Sequence, residues 1–168
     1  YPAELSRLKR EDYRRILRVI SPLIGEVGIK RYSGDSYQSG NFWFRTAKTD
    51  DTSSTASFAE RGSKFIPGTE AQWFFDSWYS VATGLLAARY HDGKMKKESA
   101  RFLDRALAQM TGDAPVFGAD GKPVPAHALP ESYNTVVSRA GRRVFAPSPI
   151  TPLNWAKAAM RLALQNAN

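Results

Sequence analysis

Thr69-Glu70-Ala71-Gln72-Trp73-Phe74-Phe75-Asp76-Ser77-Trp78-Tyr79-Ser80-Val81-Ala82-Thr83-Gly84-Leu85-Leu86-Ala87-Ala88-Arg89-Tyr90 is the stretch in which the chain's pattern is most strongly helical. Trp73, Phe74, Ser77, Trp78, Val81, Leu85 and Ala88 fall on one side of a helical projection. This predicts a long helix over 70–90, apolar around most of its circumference and therefore buried. Two carboxylates belong to this stretch. Glu70 reads as a charge placed at a helix N-terminus, and Asp76 as a paired or rim-exposed side chain.

Working outward, His91-Asp92-Gly93 forms a break, and 94–110 is a second amphipathic helix. It turns Met95, Phe102, Leu103, Ala106, Leu107 and Met110 inward and Lys94, Lys96, Lys97, Arg101 and Arg105 outward, and Gly112 stops it. His91 and His127 are isolated histidines with turn or capping roles. Residues 112–130 are rich in proline and glycine and read as a long loop, in which Asp120-Gly121 predicts a small hairpin from Val116 to Val124. A last helix covers 152–165, with Pro152 in its first turn and Thr151 as its cap. Upstream, Tyr13, Ile16, Leu17 and Ile20 recur among arginines within 1–24 and give a surface helix that ends at Ser21-Pro22 and Gly25. Residues 45–57, centred on Asp50-Asp51, read as a flexible polar connection rather than a metal loop. Helix pairs joined by long loops predict an all-α fold.

The chain has 168 residues, 42% of them apolar, enough for one domain with a core. It has no cysteine, which excludes disulfides and thiolate chemistry, and no apolar run long enough to span a membrane. It opens on Tyr1 rather than methionine, so its compartment is left open. Lys and Arg number 24 against 16 Asp and Glu, a net charge of +8, and residues 132–168 carry Arg139, Arg142, Arg143, Lys157 and Arg161 with no acidic residue. No motif for specific nucleic-acid binding accompanies that excess, which reads as a solvated basic face.

The residues with most chemical promise lie outside the long helix. Ala128-Leu129-Pro130-Glu131-Ser132-Tyr133 holds a carboxylate just after a proline, a stiff mount from which Glu131 can be aimed. Some twenty residues on, Ser148-Pro149-Ile150-Thr151-Pro152-Leu153-Asn154-Trp155-Ala156 leads into the last helix, with Trp155 offered as a flat face for a sugar ring. Between Gly28 and Phe44, Arg31, Asp35 and Asn41 are interleaved with Tyr32, Tyr37 and Trp43. Rings that cover apolar sugar faces beside groups that bond hydroxyls suit a polyol ligand; the alternative is a polar loop pinned by its aromatics.

Arg31-Tyr32 with Asp35 and Tyr37, then Gly40-Asn41-Phe42-Trp43-Phe44, Leu129-Pro130-Glu131 and Thr151-Pro152-Leu153-Asn154-Trp155, in this order, resemble the C-terminal part of glycoside hydrolase family 15, the glucoamylase and glucodextranase group. They also resemble the related domain of the phosphorylase kinase α and β regulatory subunits. The resemblance spans roughly 26–164. It implies an α/α toroid, a six-hairpin barrel whose loops form a cleft, with residues 1–168 a single partial domain from its C-terminal portion. It also implies an inverting α-glucan hydrolase in which Glu131 is the general base and Arg31, Tyr32, Asp35, Trp43 and Trp155 bind substrate, with no cofactor and no metal. Phe42, Ser132 and Ala156 stand where glucoamylases commonly have proline, glutamine and serine, and the family's general acid lies upstream of the segment matched here. These departures lean towards the phosphorylase-kinase-like branch.

The expected function is therefore the C-terminal portion of a glucoamylase-like enzyme, inactive by itself; the alternative is a non-catalytic glucan-binding or regulatory module. The expected partners are an α-glucan or oligosaccharide and either a missing N-terminal half or a second copy, with no specific nucleic acid and no membrane. A third, weaker reading is a basic scaffold for an anionic polymer.

Overall fold

The computed structural model describes residues 9–35, 37, 59, 63, 67–137 and 142–167. Among these, four α-helices pack beside a three-stranded antiparallel sheet and a two-stranded hairpin. The fold is mixed α/β, and the sheet overturns the expected all-α toroid.

Among the described residues helix α1 is Arg10–Ile20, and a single 3-10 turn at Ser21–Leu23 follows it, where Ser21-Pro22 were expected to end the helix. The Asp12 carboxylate accepts the Lys9 amide at 2.9 Å, and Glu11 and Asp12 at the start and Arg18 at the end suit the helix dipole. Strand β1 is Gln72–Trp73, which removes Trp73 from the helix expected over 70–90. That helix, α2, starts only at Asp76 and runs to Tyr90. His91, at φ 49°, closes it in the left-handed conformation, and the Asp92 carboxylate caps α3, Gly93–Ala108, by accepting the Lys94 and Met95 amides. The two-residue link makes α2 and α3 an αα-hairpin.

The two helices approach closely through small hydroxyl residues, with Ser80 Oγ and Ser99 Oγ each donating to the other residue's carbonyl at 2.8 Å. The final helix, α4, is Asn154–Ala167 and crosses at Gly84, where a Cβ would lie 2.0 Å from Asn166 Nδ2. The ends of the Asn166 and Ser99 side chains, from α4 and α3, both close on this position.

The expected hairpin is present: β2, Val116–Phe117, pairs antiparallel with β3, Pro123–Val124, across a turn with Gly121 at φ 80°. Unforeseen were β4, Ser132–Val137, and β5, Arg143–Pro147. β4 is the middle strand: Trp73 pairs with Ser132 on one side, and Tyr133 to Val137 pair with Pro147 to Arg143 on the other. Tyr, Thr, Val and Phe in these segments favour a pleated, half-buried surface.

The largest apolar cluster joins Ala71, Trp73 and Phe74 to Leu129 and to Ala156, Ala159 and Met160 of α4. A second centres on Phe102, fully buried against Tyr79 with ring centroids 4.1 Å apart, and on Ile29. Among the described residues no helix is long and apolar enough to cross a membrane.

Candidate functional site

The stretches around Glu131 and Trp155 meet through their main chains. The Leu153 amide donates to the Leu129 carbonyl at 2.8 Å, Glu131 N to Ile150 O at 3.0 Å, and Ser148 N to Ser132 O at 2.7 Å. Thr111 steadies the approach, since its hydroxyl accepts the Ala128 amide at 2.9 Å and donates to Pro125 O at 2.6 Å. Glu131 is thus mounted on backbone fixed from both sides, and its side chain is half-buried.

Across from it lies the turn carrying Arg31, Tyr32, Asp35 and Tyr37. Asp35 is completely buried and its carboxylate is surrounded by donors: Arg31 Nε at 2.9 Å and Nη2 at 2.8 Å, Trp73 Nε1 at 2.9 Å and the Tyr37 amide at 3.2 Å. The fork-shaped guanidinium is locked by this pairing. It lies over three rings, with its carbon 4.1 Å from the centroid of Trp73, 4.9 Å from Tyr37 and 5.7 Å from Tyr32. Burial works against the Arg31 charge, but the hydrogen bonding and charge of Asp35 outweigh it, so the guanidinium's pKa is raised.

Tyr37 closes the circuit by donating its hydroxyl to Glu131 Oε2 at 2.8 Å. Arg31, Tyr32, Asp35 and Glu131 therefore belong to one cluster, centred on Trp73. Trp73 was not among the expected site residues, and Tyr37 was read only as one of the rings of the polyol stretch, with no bond to Glu131 foreseen. Trp73 was hidden in an apparent helical period, while Tyr37 stood in plain view two residues after Asp35. Glu70 holds the edge of the same turn, accepting the Gly34 amide at 3.4 Å and pairing with Lys30 at 3.6 Å.

Two expected site residues do not join. Trp43 lies outside the described residues. Trp155, the second residue of α4, is 70% exposed and makes no ring contact with the cluster among the described residues. Thr151 does not cap α4 either: the helix starts three residues later, and the Thr151 hydroxyl donates to Ser148 O at 2.6 Å. No group of three His, Asp or Glu side chains that could hold a metal occurs among the described residues.

Chemically, the cluster offers a carboxylate fixed by a phenol, a guanidinium fixed by a second carboxylate, and partly open aromatic rings. No family model, no curated protein and no solved structure matches the chain.

Proposed function

We propose that the cluster around Glu131 is a sugar subsite of an inverting α-glucan hydrolase, with Glu131 as the general base. The observation that carries the reading is the Tyr37 hydroxyl donating to Glu131 Oε2 at 2.8 Å from the turn in which Asp35 holds Arg31. A base that must activate one water on one face of a sugar needs its carboxylate held in direction, and a phenol donor supplies that restraint. Arg31 can donate to sugar hydroxyls from its half-buried position, and Tyr32, 42% exposed, offers a ring to a sugar face. The reading rests on this cluster and on the resemblance of its motifs; it does not need a toroid.

Inversion also needs a carboxylic acid on the other side of the glycosidic bond, roughly 6.5–9.5 Å from the base. We assign that acid to a partner segment, so the chain alone binds sugar without turning it over. Isothermal titration with maltotriose and isomaltotriose is the test. At least one of the two binds with a dissociation constant on the order of millimolar, about 4 kcal/mol, and Arg31→Ala weakens it by about tenfold. Glu131→Gln, which keeps the shape of the side chain, leaves binding nearly unchanged. If neither sugar binds the folded protein at millimolar concentration, the sugar reading fails. Binding that depends on Arg31, in a protein that remains inactive when an acid-bearing partner is supplied, would instead favour a purely glucan-binding module.

A further inference from the structure

Between the residues that follow α3 and the length of α4 lies a cavity of about 500 Å³, lined by no residue of the Glu131 cluster. Its size falls in the range that holds a drug-sized ligand, roughly 300–1,000 Å³. Leu129 and Met160, each 6% exposed, form the floor, and Met110 and Leu164, 38% and 44% exposed, form lips on the α3 and α4 sides. Thioether side chains on both sides give an apolar lining that adapts to the shape of a guest. Lys157 and Arg161 line the same cavity. They stand one turn apart on α4, and Met160 and Leu164 beside them have the same spacing, so a cationic row and an apolar row run in parallel along the helix.

Neither cation has an ion pair or a side-chain hydrogen bond among the described residues. Residues 132–168 contain no Asp or Glu, so α4 and the strands before it supply no carboxylate to them. Asp113 is engaged elsewhere: His127, which also lines the cavity, donates from Nε2 to Asp113 Oδ1 at 2.7 Å. Like charges one turn apart on a helix repel, and an anion between them removes that cost. We propose that this cavity binds a single-chain amphiphile with an anionic head, the chemistry of a free fatty acid. The head lies between Lys157 and Arg161, and the chain runs over Met160 and Leu164 into the floor at Leu129. A small inorganic anion would satisfy the cations and leave the apolar floor wet, while a neutral apolar guest would leave the cations without a counter-charge. A guest with both parts uses both rows. The sunken floor also favours a separate chain over a bilayer, which presents packed head groups rather than a lone tail. The proposal stands apart from the sugar reading.

Nuclear magnetic resonance of the protein labelled with carbon-13 at its methionine methyl groups tests this. The chain has 3 methionines. Met110 and Met160 report from the cavity, and Met95, buried against Tyr13 and Leu86 in a separate cluster, is the internal control. Dodecanoate, kept below the concentration at which it forms micelles, shifts the Met110 and Met160 signals and leaves Met95 in place. It binds at least about tenfold more tightly than dodecyltrimethylammonium, which has the same chain and the opposite charge, and than acetate, which has the same head and no chain. The double variant Lys157→Gln/Arg161→Gln, at exposed positions, weakens dodecanoate by at least about tenfold with the far-ultraviolet circular dichroism unchanged. Lys157→Arg/Arg161→Lys, which keeps both charges, retains the affinity. The proposal is overturned by the absence of a shift up to about 1 mM dodecanoate, by equal binding of either control compound, by a Met95 shift of the same size, or by affinity indifferent to the glutamine variant. If dodecanoate fails while a heparin fragment or phosphatidylserine vesicles shift the two signals, the cations belong to a polymer or a membrane and the proposal falls.

Discussion

Asp35 is the residue on which the candidate site turns. Its buried carboxylate accepts from Arg31 through both Nε and Nη2, from Trp73 Nε1 and from the Tyr37 amide. Removing one partner from a buried, hydrogen-bonded charge pair leaves the other without compensation, so Asp35→Ala should cost about 3 kcal/mol in urea unfolding. A cost below about 0.5 kcal/mol, within the range of an ordinary surface change, would show that the guanidinium finds another partner. Tyr37→Phe removes the donor to Glu131 and should cost about 1 kcal/mol. The residues of this cluster were unevenly legible in the sequence. Arg31, Asp35 and Glu131 were marked by the motifs around them, but the bond from Tyr37 to Glu131 joins residues 94 apart along the chain, and no local pattern reports such a contact. Trp155 was misplaced because a tryptophan after a proline-rich loop looks the same whether its ring faces the loop or solvent.

At the scale of elements, α2 and α3 are tied to the turn after α1 by one buried carboxylate. Asp76, fully buried, accepts from Arg105 Nε at 2.6 Å and from Gln109 Nε2 at 2.7 Å, while Arg105 and Gln109 also donate to the Gly25 and Val27 carbonyls. Burial raises the Asp76 pKa above its ordinary value, against the lowering effect of Arg105 and Gln109. A carboxyl whose folded-state pKa is raised contributes stability that is fully present below the unfolded value of 3.8 and is lost as pH rises through the folded value. The stability advantage of the native protein over Asp76→Asn should therefore grow as pH falls from 7 through the raised folded-state pKa towards 3.8. Paired urea titrations across that range check the sign, and an advantage that shrinks on acidification contradicts it. Periodicity gave the αα-hairpin, α4 and the β2–β3 turn because each buries a continuous stripe or carries a turn pair. It missed β1 because two residues of strand are indistinguishable from one helical turn. It missed β4 because Ser132-Tyr133-Asn134-Thr135-Val136-Val137 buries Ser132, Asn134 and Thr135 without a clean apolar alternation. The all-α expectation fell with those strands.

For the whole molecule, the question is what joins the α1 segment and the arginine turn to the sheet, and much of the answer is backbone at Gly28 and Ile29. Ile29 bridges to Trp73 in both directions, with Trp73 N donating to Ile29 O at 2.9 Å and Ile29 N to Trp73 O at 3.2 Å. A Cβ on Gly28 would lie 2.6 Å from Trp73 O, 3.0 Å from Gln72 C and 3.1 Å from Trp73 N. Those atoms cannot give way cheaply, because Gln72 and Trp73 are held on their other edge by Tyr133 and Ser132 of β4. Gly28→Ala should accordingly cost about 2 kcal/mol, in the range for overpacking a filled site. Gly93→Ala is the control: its Cβ meets nothing within 4 Å, and the loss of glycine freedom in the unfolded chain should stabilise by up to about 1 kcal/mol. Native-state hydrogen exchange separates a local from a general effect. If the bridge is the joint, Gly28→Ala lowers protection at the Ile29 and Trp73 amides while the interior of α3 keeps its own. Lys30 and Arg31 follow the bridge directly, and the added Cβ presses on the backbone of Trp73 at the centre of the cluster, so the variant should also weaken maltotriose binding. Unchanged sugar affinity in a variant with opened Ile29 and Trp73 amides would mean that Asp35 alone positions Arg31, and that the sheet and the proposed sugar subsite are mechanically independent.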